Sequence, residues 1–246
     1  MRIDLSKYRR IVVLTGAGVS AASGIRTYRG PDGLWIEHDV QEYGHVDRLK
    51  DRPEQIWKLF GSLRTQMPTA VPNLAHRMLA ALEKRLNPDQ QFLLITQNID
   101  GLHQRAGNHN VVELHGSVHE TRCANSECTL DPFHDTHSHA EAVPRCPNCG
   151  GILRPGVVLF GERIPAMPTW RAKRALRDCD LFLSIGTSGV VEPAASFVRS
   201  AKYAGARTIY LNLEPMKIRN PAFDEEYLGK SEDLLPRLLG FTDKSV

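Results

Sequence analysis

Five short apolar runs, each ending at once in glycines or polar residues, constrain this chain more than any other feature. The runs are Ile11–Leu14, Phe92–Ile95, Val111–Leu114, Leu181–Ile185 and Thr208–Leu211. They are rich in β-branched residues and separated by helix-compatible stretches such as Asn73–Arg85, Trp170–Arg177 and Pro193–Ala204. Short buried strands alternating with helices predict an α/β fold around a parallel sheet. The length, 246 residues, suits one large domain carrying an insertion.

The residues just after each run matter as much as the run itself. The five clusters are Gly16-Ala17-Gly18, Thr96-Gln97-Asn98-Ile99-Asp100, His115-Gly116, Gly186-Thr187-Ser188 and Asn212-Leu213-Glu214. Open α/β sheets bind ligands beyond the carboxyl ends of their strands, so five clusters on one edge predict a lined pocket. GAGVSA fits a glycine-rich strand-to-helix turn that brings backbone N–H groups to a pyrophosphate at a helix N-terminus. Alone this signal is weak, because small-residue turns are common. In a standard dinucleotide fold a ribose-binding acid follows about 20 residues later, at the end of a second strand, and here that region is a glycine- and proline-punctuated loop with no second strand. That region reads SGIRTYRGPDGLW, and the acid placed to hold a ribose is Glu214. A standard dehydrogenase is disfavoured.

Cysteines supply a second constraint. Cys123 and Cys128 form one close pair, Cys146 and Cys149 another, with 17 residues between the pairs. Four thiolates at this spacing form a zinc-ribbon-like signature for one tetrahedral, structural Zn2+. Two disulfides are the competing reading, and a ribbon gripping nucleic acid is a third; the loops lack the clustered basic and aromatic residues that the last requires. His134, His137 and His139 lie in the same insertion, where they read as a solvated loop with some capacity for metal. Cys179 reads as a core cysteine.

The formal charge is +3, with basic residues dispersed, and excludes nothing. No apolar run approaches the roughly 18–20 residues of a membrane span. The N-terminal apolar run is four residues long and lacks a cleavage pattern. The expectation is a cytoplasmic protein with no membrane and no specific nucleic-acid partner.

Taken in order, GAGVSAASGIRTYRG, TQNIDGLH, ELHGS, the two cysteine pairs, RPGVVLFGE, GTSGVVEPAA and LNLEP resemble the sirtuins, the NAD-dependent protein-lysine deacylases. The likeness covers about residues 8 to 240, and its GTSGVVEPAA and GIRTYR variants look most like small bacterial members near the demalonylase/desuccinylase branch. It implies a Rossmann-like parallel sheet with helices on both faces. A small domain would combine the zinc insertion with a helical cofactor-loop module. The expected division assigns 1–27, 69–118 and 153–246 to the large domain, 28–68 and 119–152 to the small one.

The resemblance also implies roles. Gly16, Ala17 and Gly18 would meet the phosphates of NAD, and Tyr28 and Arg29 would lie on the cofactor loop. Gln97, Asn98 and Asp100 would line the nicotinamide pocket. Gly186, Thr187 and Ser188 would contact the cofactor, and Asn212 with Glu214 would hold the adenosine ribose. Val157, Phe160 and Gly161 on one side, and Gly189, Val190, Val191 and Glu192 on the other, would flank an acylated peptide added as a strand. His115 would be the catalytic base, a role that an imidazole titrating near neutrality suits. In the implied reaction the acyl oxygen displaces nicotinamide, His115 activates a ribose hydroxyl, and lysine and O-acyl-ADP-ribose are released. The oligomeric state implied is a monomer. A sirtuin-like ADP-ribosyltransferase or NAD hydrolase, and a non-enzymatic NAD sensor, are the alternatives.

Four positions depart from the pattern, two of them as a pair. The acidic-acyl branch carries a tyrosine and an arginine three residues on, where this chain has Phe60 and Leu63. Both carboxylate-binding groups are gone, and burying a succinyl carboxylate there is costly. Arg64 is one position away, rotated by about 100° on a helix. The expectation is a preference for acetyl or longer neutral acyl groups. Arg26 replaces a common proline, and Glu192 replaces a common aromatic residue and so could favour basic neighbours of the target lysine.

Overall fold

The computed structural model describes residues 2–27 and 39–241. Nine strands are present among them: β1 Arg10–Thr15, β2 Gln91–Thr96, β3 Val111–Glu113, β4 Gly116–Cys123, β5 Phe133–His134, β6 Leu153–Val157, β7 Leu181–Ile185, β8 Arg207–Asn212 and β9 Glu225–Leu228. The helices are α1 Asp39–Tyr43, α2 Arg48–Asp51, α3 Pro53–Gln66, α4 Leu74–Arg85, α5 Leu102–Arg105, α6 Ala166–Leu176, α7 Phe197–Tyr203 and α8 Ser231–Leu239.

Six strands form one sheet in the order β3-β2-β1-β7-β8-β9. Every neighbouring pair in it is parallel. All five expected strands are there. The period-two pattern of β1 explains the layers: Ile11 and Val13 join a core with α4 and α8 on one face, while Val12 and Leu14 join a core with α6 and α7 on the other. Cys179 is buried in the second core, as a packing residue. The chain order reverses between β1 and β7, so the connections leaving those strands diverge and open a crevice at the carboxyl edge. The turn after β1 is a 3-10 helix, Ala17–Ser23, tighter than the helix expected there.

Strands β5, β4 and β6 form a separate antiparallel sheet. The cysteine insertion is therefore carried on two strands that begin at Gly116 and end at Val157. Helix α3 packs across this sheet. Trp57 is buried and donates to the carbonyl of Leu153 at 3.0 Å. Gly61 is needed at the contact, because a Cβ there would stand 2.2 Å from the Ser138 carbonyl oxygen.

Arg64 is the deepest polar tie. Its guanidinium is fully buried and donates to the carbonyls of Val118 (2.6 Å), Glu120 (2.5 Å) and His137 (2.9 Å), to Thr121 Oγ1 (2.8 Å) and to Asp135 (3.2 Å). A buried charge is tolerable when every donor is used, and removing one partner strands the other. Arg64→Met should therefore lower the unfolding free energy by roughly 3 kcal/mol, read as a drop in denaturation midpoint. A midpoint equal to the parent's would contradict this account of α3.

Candidate active site at the carboxyl edge of the sheet

The connections after β1 and β7 meet backbone to backbone. Gly16 N–H donates to Ile185 O at 3.1 Å and Gly18 N–H to Gly186 O at 2.9 Å. A Cβ on either Gly16 or Gly18 would come within 2.8 Å of Gly186 atoms. Gly186 itself has φ of +62°, and a Cβ there would be 2.5 Å from Val19 N. These glycines are thus required first by packing. The amides of Gly16 and Gly18 are spent inside the protein; Ala17 N–H, at the start of the 3-10 turn, is the one left without an acceptor among the described residues.

Beneath this turn lies a buried polar network that joins the expected Asn98 and Asp100 to Ser20 and His76, which the sequence did not single out. His76 sits in a capping box: its Nδ1 accepts from Asn73 N–H at 3.3 Å, so Nε2 carries the proton toward Ser20 Oγ at 3.4 Å. Ser20 in turn donates to Asp100 Oδ2 at 2.7 Å, and Asn98 donates to both Ser20 Oγ and Gly16 O at 3.1 Å. Burial holds His76 neutral, lowering its pKa to about 4. Burial also raises Asp100, with the Leu102 N–H and Ser20 hydrogen bonds opposing. His103, its ring tilted against that of His76 at 4.8 Å, bonds Thr15 Oγ1 at 2.9 Å, and its buried Nδ1 has no partner among the described residues. For His76, the sequence signal is the N-capping spacing from Asn73.

A second chain of bonds crosses the strand ends. Gln97 donates to Thr187 Oγ1 at 2.9 Å, Tyr210 O–H to Thr187 O at 2.8 Å, and Asn212 Nδ2 to Tyr210 Oη at 2.8 Å. The clusters after β2, β7 and β8 are therefore one connected rim. Asn212 spends its amide hydrogens on Tyr210 and on Glu214 O, which leaves its oxygen as an acceptor. Glu214 is exposed, Ser188 and Gly189 are half-buried, and Val190 is exposed. Tyr28 and Arg29 lie outside the described residues.

His115 stands at the end of β3, half-buried, with Nδ1 2.8 Å from Gln97 O. A carbonyl only accepts, so Nδ1 carries the hydrogen and Nε2 holds the free lone pair. Burial pushes the imidazole pKa down, with the Gln97 bond opposing. The result is a neutral base of fixed tautomer. His115 O accepts from Val158 N–H at 2.8 Å, which sets the segment Val157–Gly161 beside it. That segment is closed by its own ends. Arg154, buried in β6, makes a two-pronged pair with Glu162 at 2.9 and 2.8 Å, and Glu162 also accepts from Leu159 N–H at 2.9 Å. Phe160 is bridged on its other side to His45. Glu192 is exposed, accepts from Ser196 Oγ at 2.6 Å and pairs with Arg199 at 3.5 Å, so its charge is already partly met.

Phe60 (buried) and Leu63 (half-buried) join Ile56, Ile99, Val118, Val157 and Leu159 in one apolar cluster. Arg64, pointing into the small sheet, does not enter it.

The four cysteine sulfurs lie within 4.8 Å of one another, with Cys123–Cys149 at 3.5 Å and Cys128–Cys146 at 3.6 Å. Tetrahedral zinc with bonds near 2.3 Å needs sulfurs about 3.8 Å apart. The geometry fits a metal ion, with four protein ligands and no open position, as a structural Zn2+ site requires.

Known proteins share this outline. A profile described as the Sir2 family matches residues 16–193. An NAD-dependent protein deacylase of Pasteurella multocida is 44% identical over 237 residues, covering 96% of this chain and 98% of that protein. One from Escherichia coli K12 is 43% identical over 232 residues, covering 94% and 81%. A crystal structure of a Sir2 homologue with NAD superposes with a TM-score of 0.85 at 38% identity, covering 95% of this chain and 89% of that one. A Sir2 structure with deacetylated p53 peptide and 3′-O-acetyl-ADP-ribose gives 0.83 at 32% identity, covering 95% and 93%. A shared profile from the glycine turn through His115 to Pro193, with relatives matched nearly end to end, makes this chain a member of the Sir2 family.

Proposed function

We propose that the protein removes acyl groups from protein lysines at the expense of NAD, releasing nicotinamide and O-acyl-ADP-ribose. The observation that carries this reading is the placement of His115. Its Nδ1–H is tied to Gln97 O, and its carbonyl is tied to the segment Val157–Gly161, so one residue joins the cofactor rim to the peptide edge. The deacylase relatives and the family structures holding NAD or acetyl-ADP-ribose support it.

NAD, when bound, supplies an electrophilic ribose carbon and a nicotinamide leaving group. The chain's own residues do the rest. Ala17 N–H and the turn around Gly16 and Gly18 face the phosphates, with Gly186, Thr187 and Ser188 alongside. Gln97, Asn98 and Asp100 shape the nicotinamide end; Asn98 is pinned through Gly16 and Ser20, and Asp100 through Ser20. The Asn212 oxygen and Glu214 accept ribose hydroxyls. His115 Nε2 takes a proton from a ribose hydroxyl, which a neutral imidazole can do and an imidazolium cannot. The acylated peptide lies as a strand between Val157–Gly161 and Gly189–Glu192, its acyl chain toward Phe60 and Leu63. The domain division proposed is 1–27, 69–118 and 153–246 for NAD binding, with 28–68 and 119–152 as the small domain. The reading is of a cytoplasmic monomer acting on proteins and not on nucleic acid. Among the described residues, no helix is long and apolar enough to cross a membrane.

Incubation with NAD and acetyl-lysine peptide should yield O-acetyl-ADP-ribose by mass spectrometry, and His115→Ala should yield none; NAD consumed without an O-acyl product would make the protein a hydrolase or ADP-ribosyltransferase instead. Because burial lowers the His115 pKa, the base stays neutral into mildly acidic solution. The acid limb of kcat/KM should therefore fall below about pH 6.5, and a limb above that value would count against His115 as the base. Finally, acetyl peptides should outpace succinyl peptides. Phe60→Tyr with Leu63→Arg should raise the succinyl-to-acetyl ratio by roughly tenfold or more; equal turnover of both by the parent would refute the apolar-wall argument.

A further inference from the structure

The motif HDTHSH is used neither by the carboxyl-edge site nor by the four cysteines, yet it is highly ordered around one carboxylate. Asp135 is buried, and its N–H donates to His119 O at 2.8 Å. Its Oδ2 accepts from Thr121 Oγ1 at 2.8 Å and faces Arg64 at 3.2 Å, so β4 and α3 fix its orientation. Two imidazoles then converge on it. His137 Nδ1 lies 2.9 Å from Oδ1, and His139 Nε2 lies 2.8 Å from Oδ2. All three ligand atoms lie within 4.8 Å of one another.

The simple alternative is a loop stapled by two Asp–His hydrogen bonds. Asp135 needs neither of them: Arg64 supplies its counter-charge, while Thr121 Oγ1 and His137 N–H supply neutral donors. His139 is also held in place at a cost. It is the one described non-glycine residue with positive φ, +52°, a left-handed conformation that turns its ring back to Asp135 and edge-on to Trp57 at 4.8 Å. Two surplus imidazoles and a strained backbone aimed at one carboxylate describe a ligand set better than a staple.

We propose that Asp135, His137 and His139 form a second metal site, separate from the four cysteines and independent of the deacylase reading. Its ion is a borderline divalent cation such as Zn2+, Co2+ or Ni2+, because imidazole and carboxylate together suit these better than Mg2+ or Ca2+. Bonds near 2.0–2.2 Å place ligand atoms about 3–4 Å apart, so adjustments on the order of 1 Å suffice. His137, with 83% of its side chain exposed, is free to make them. Three protein ligands leave a coordination position open to water. The neighbouring Arg64 charge makes this site weaker than the thiolate site, which takes the first equivalent of metal. The loop also rests on α3, through Ser138 against Gly61 and through the Arg64 bond to His137 O. An ion here pins the loop to the helix that carries Phe60 and Leu63.

The test uses the full chain with zinc already in the cysteine site, dialysed against Co2+ alone. Elemental analysis should show one zinc retained and about one cobalt gained per chain. The cobalt spectrum should show weak d–d bands without thiolate-to-metal charge transfer. His137→Ala, which removes an exposed ring and leaves the fold intact by circular dichroism, should weaken cobalt binding by roughly tenfold or more; His134→Ala should bind as the parent does. No cobalt beyond the zinc in the parent overturns the proposal. So does equal binding by His137→Ala, which would mark an adventitious ion elsewhere, and so does loss of cobalt in His134→Ala.

Discussion

The backbone approach of Gly16 and Gly18 to Gly186 is the contact on which the rest of the site depends. It occurs where the strand order reverses, between β1 and β7, and it holds because none of the three residues carries a Cβ. With the turn seated there, Ser20 reaches Asp100, Asn98 reaches Gly16, and Gln97 reaches Thr187. A methyl group at this contact would push apart the two connections that hold Asn98, Asp100 and Gln97. The glycine turn is thus a packing requirement first. Among the described residues, the packing of Gly16 and Gly18 leaves the Ala17 amide without an acceptor.

The small antiparallel sheet is tied to its surroundings by buried and half-buried charges beside two modest apolar clusters. Arg64 ties α3 to β4 and to the loop after β5, while the Arg154–Glu162 pair closes the segment that runs beside His115. Such pairs contribute less net stability than hydrophobic burial of the same size, but their geometry is specific. They hold α3, which carries Phe60, against the small sheet, and the segment Val157–Gly161 beside His115. The cysteine site does similar service at the far end, where a short insertion has only Trp57, Leu153 and a few neighbours to pack.

The sheet is legible in the sequence because its strands are buried on both faces and therefore read as continuous apolar runs. The carboxyl-edge clusters are legible for the related reason that polar residues directly after such runs have no packing purpose. Strand β9 reads EEYL and lies at the sheet edge, half in solvent, so no apolar run marks it. Strand β4 mixes His, Glu, Thr and Arg because both of its ladders belong to the small sheet. Arg64 reads as a surface charge one helical step from a pocket; its five partners come from residues 54 to 73 positions away. The His76–Ser20–Asp100 network is hidden for the same reason. Local pattern reveals which face a residue occupies, whereas the partner that makes a buried polar group tolerable is a property of the whole fold.

The central claim turns on the state of one imidazole, and nuclear magnetic resonance of the His115 ring reads that state directly. Titration of its carbon and nitrogen shifts in the free protein should give a pKa below the usual value of about 6.5, with the neutral ring protonated at Nδ1 and bare at Nε2. An ordinary or raised pKa, or a neutral ring protonated at Nε2, would contradict the assignment of His115 as a base held ready by Gln97.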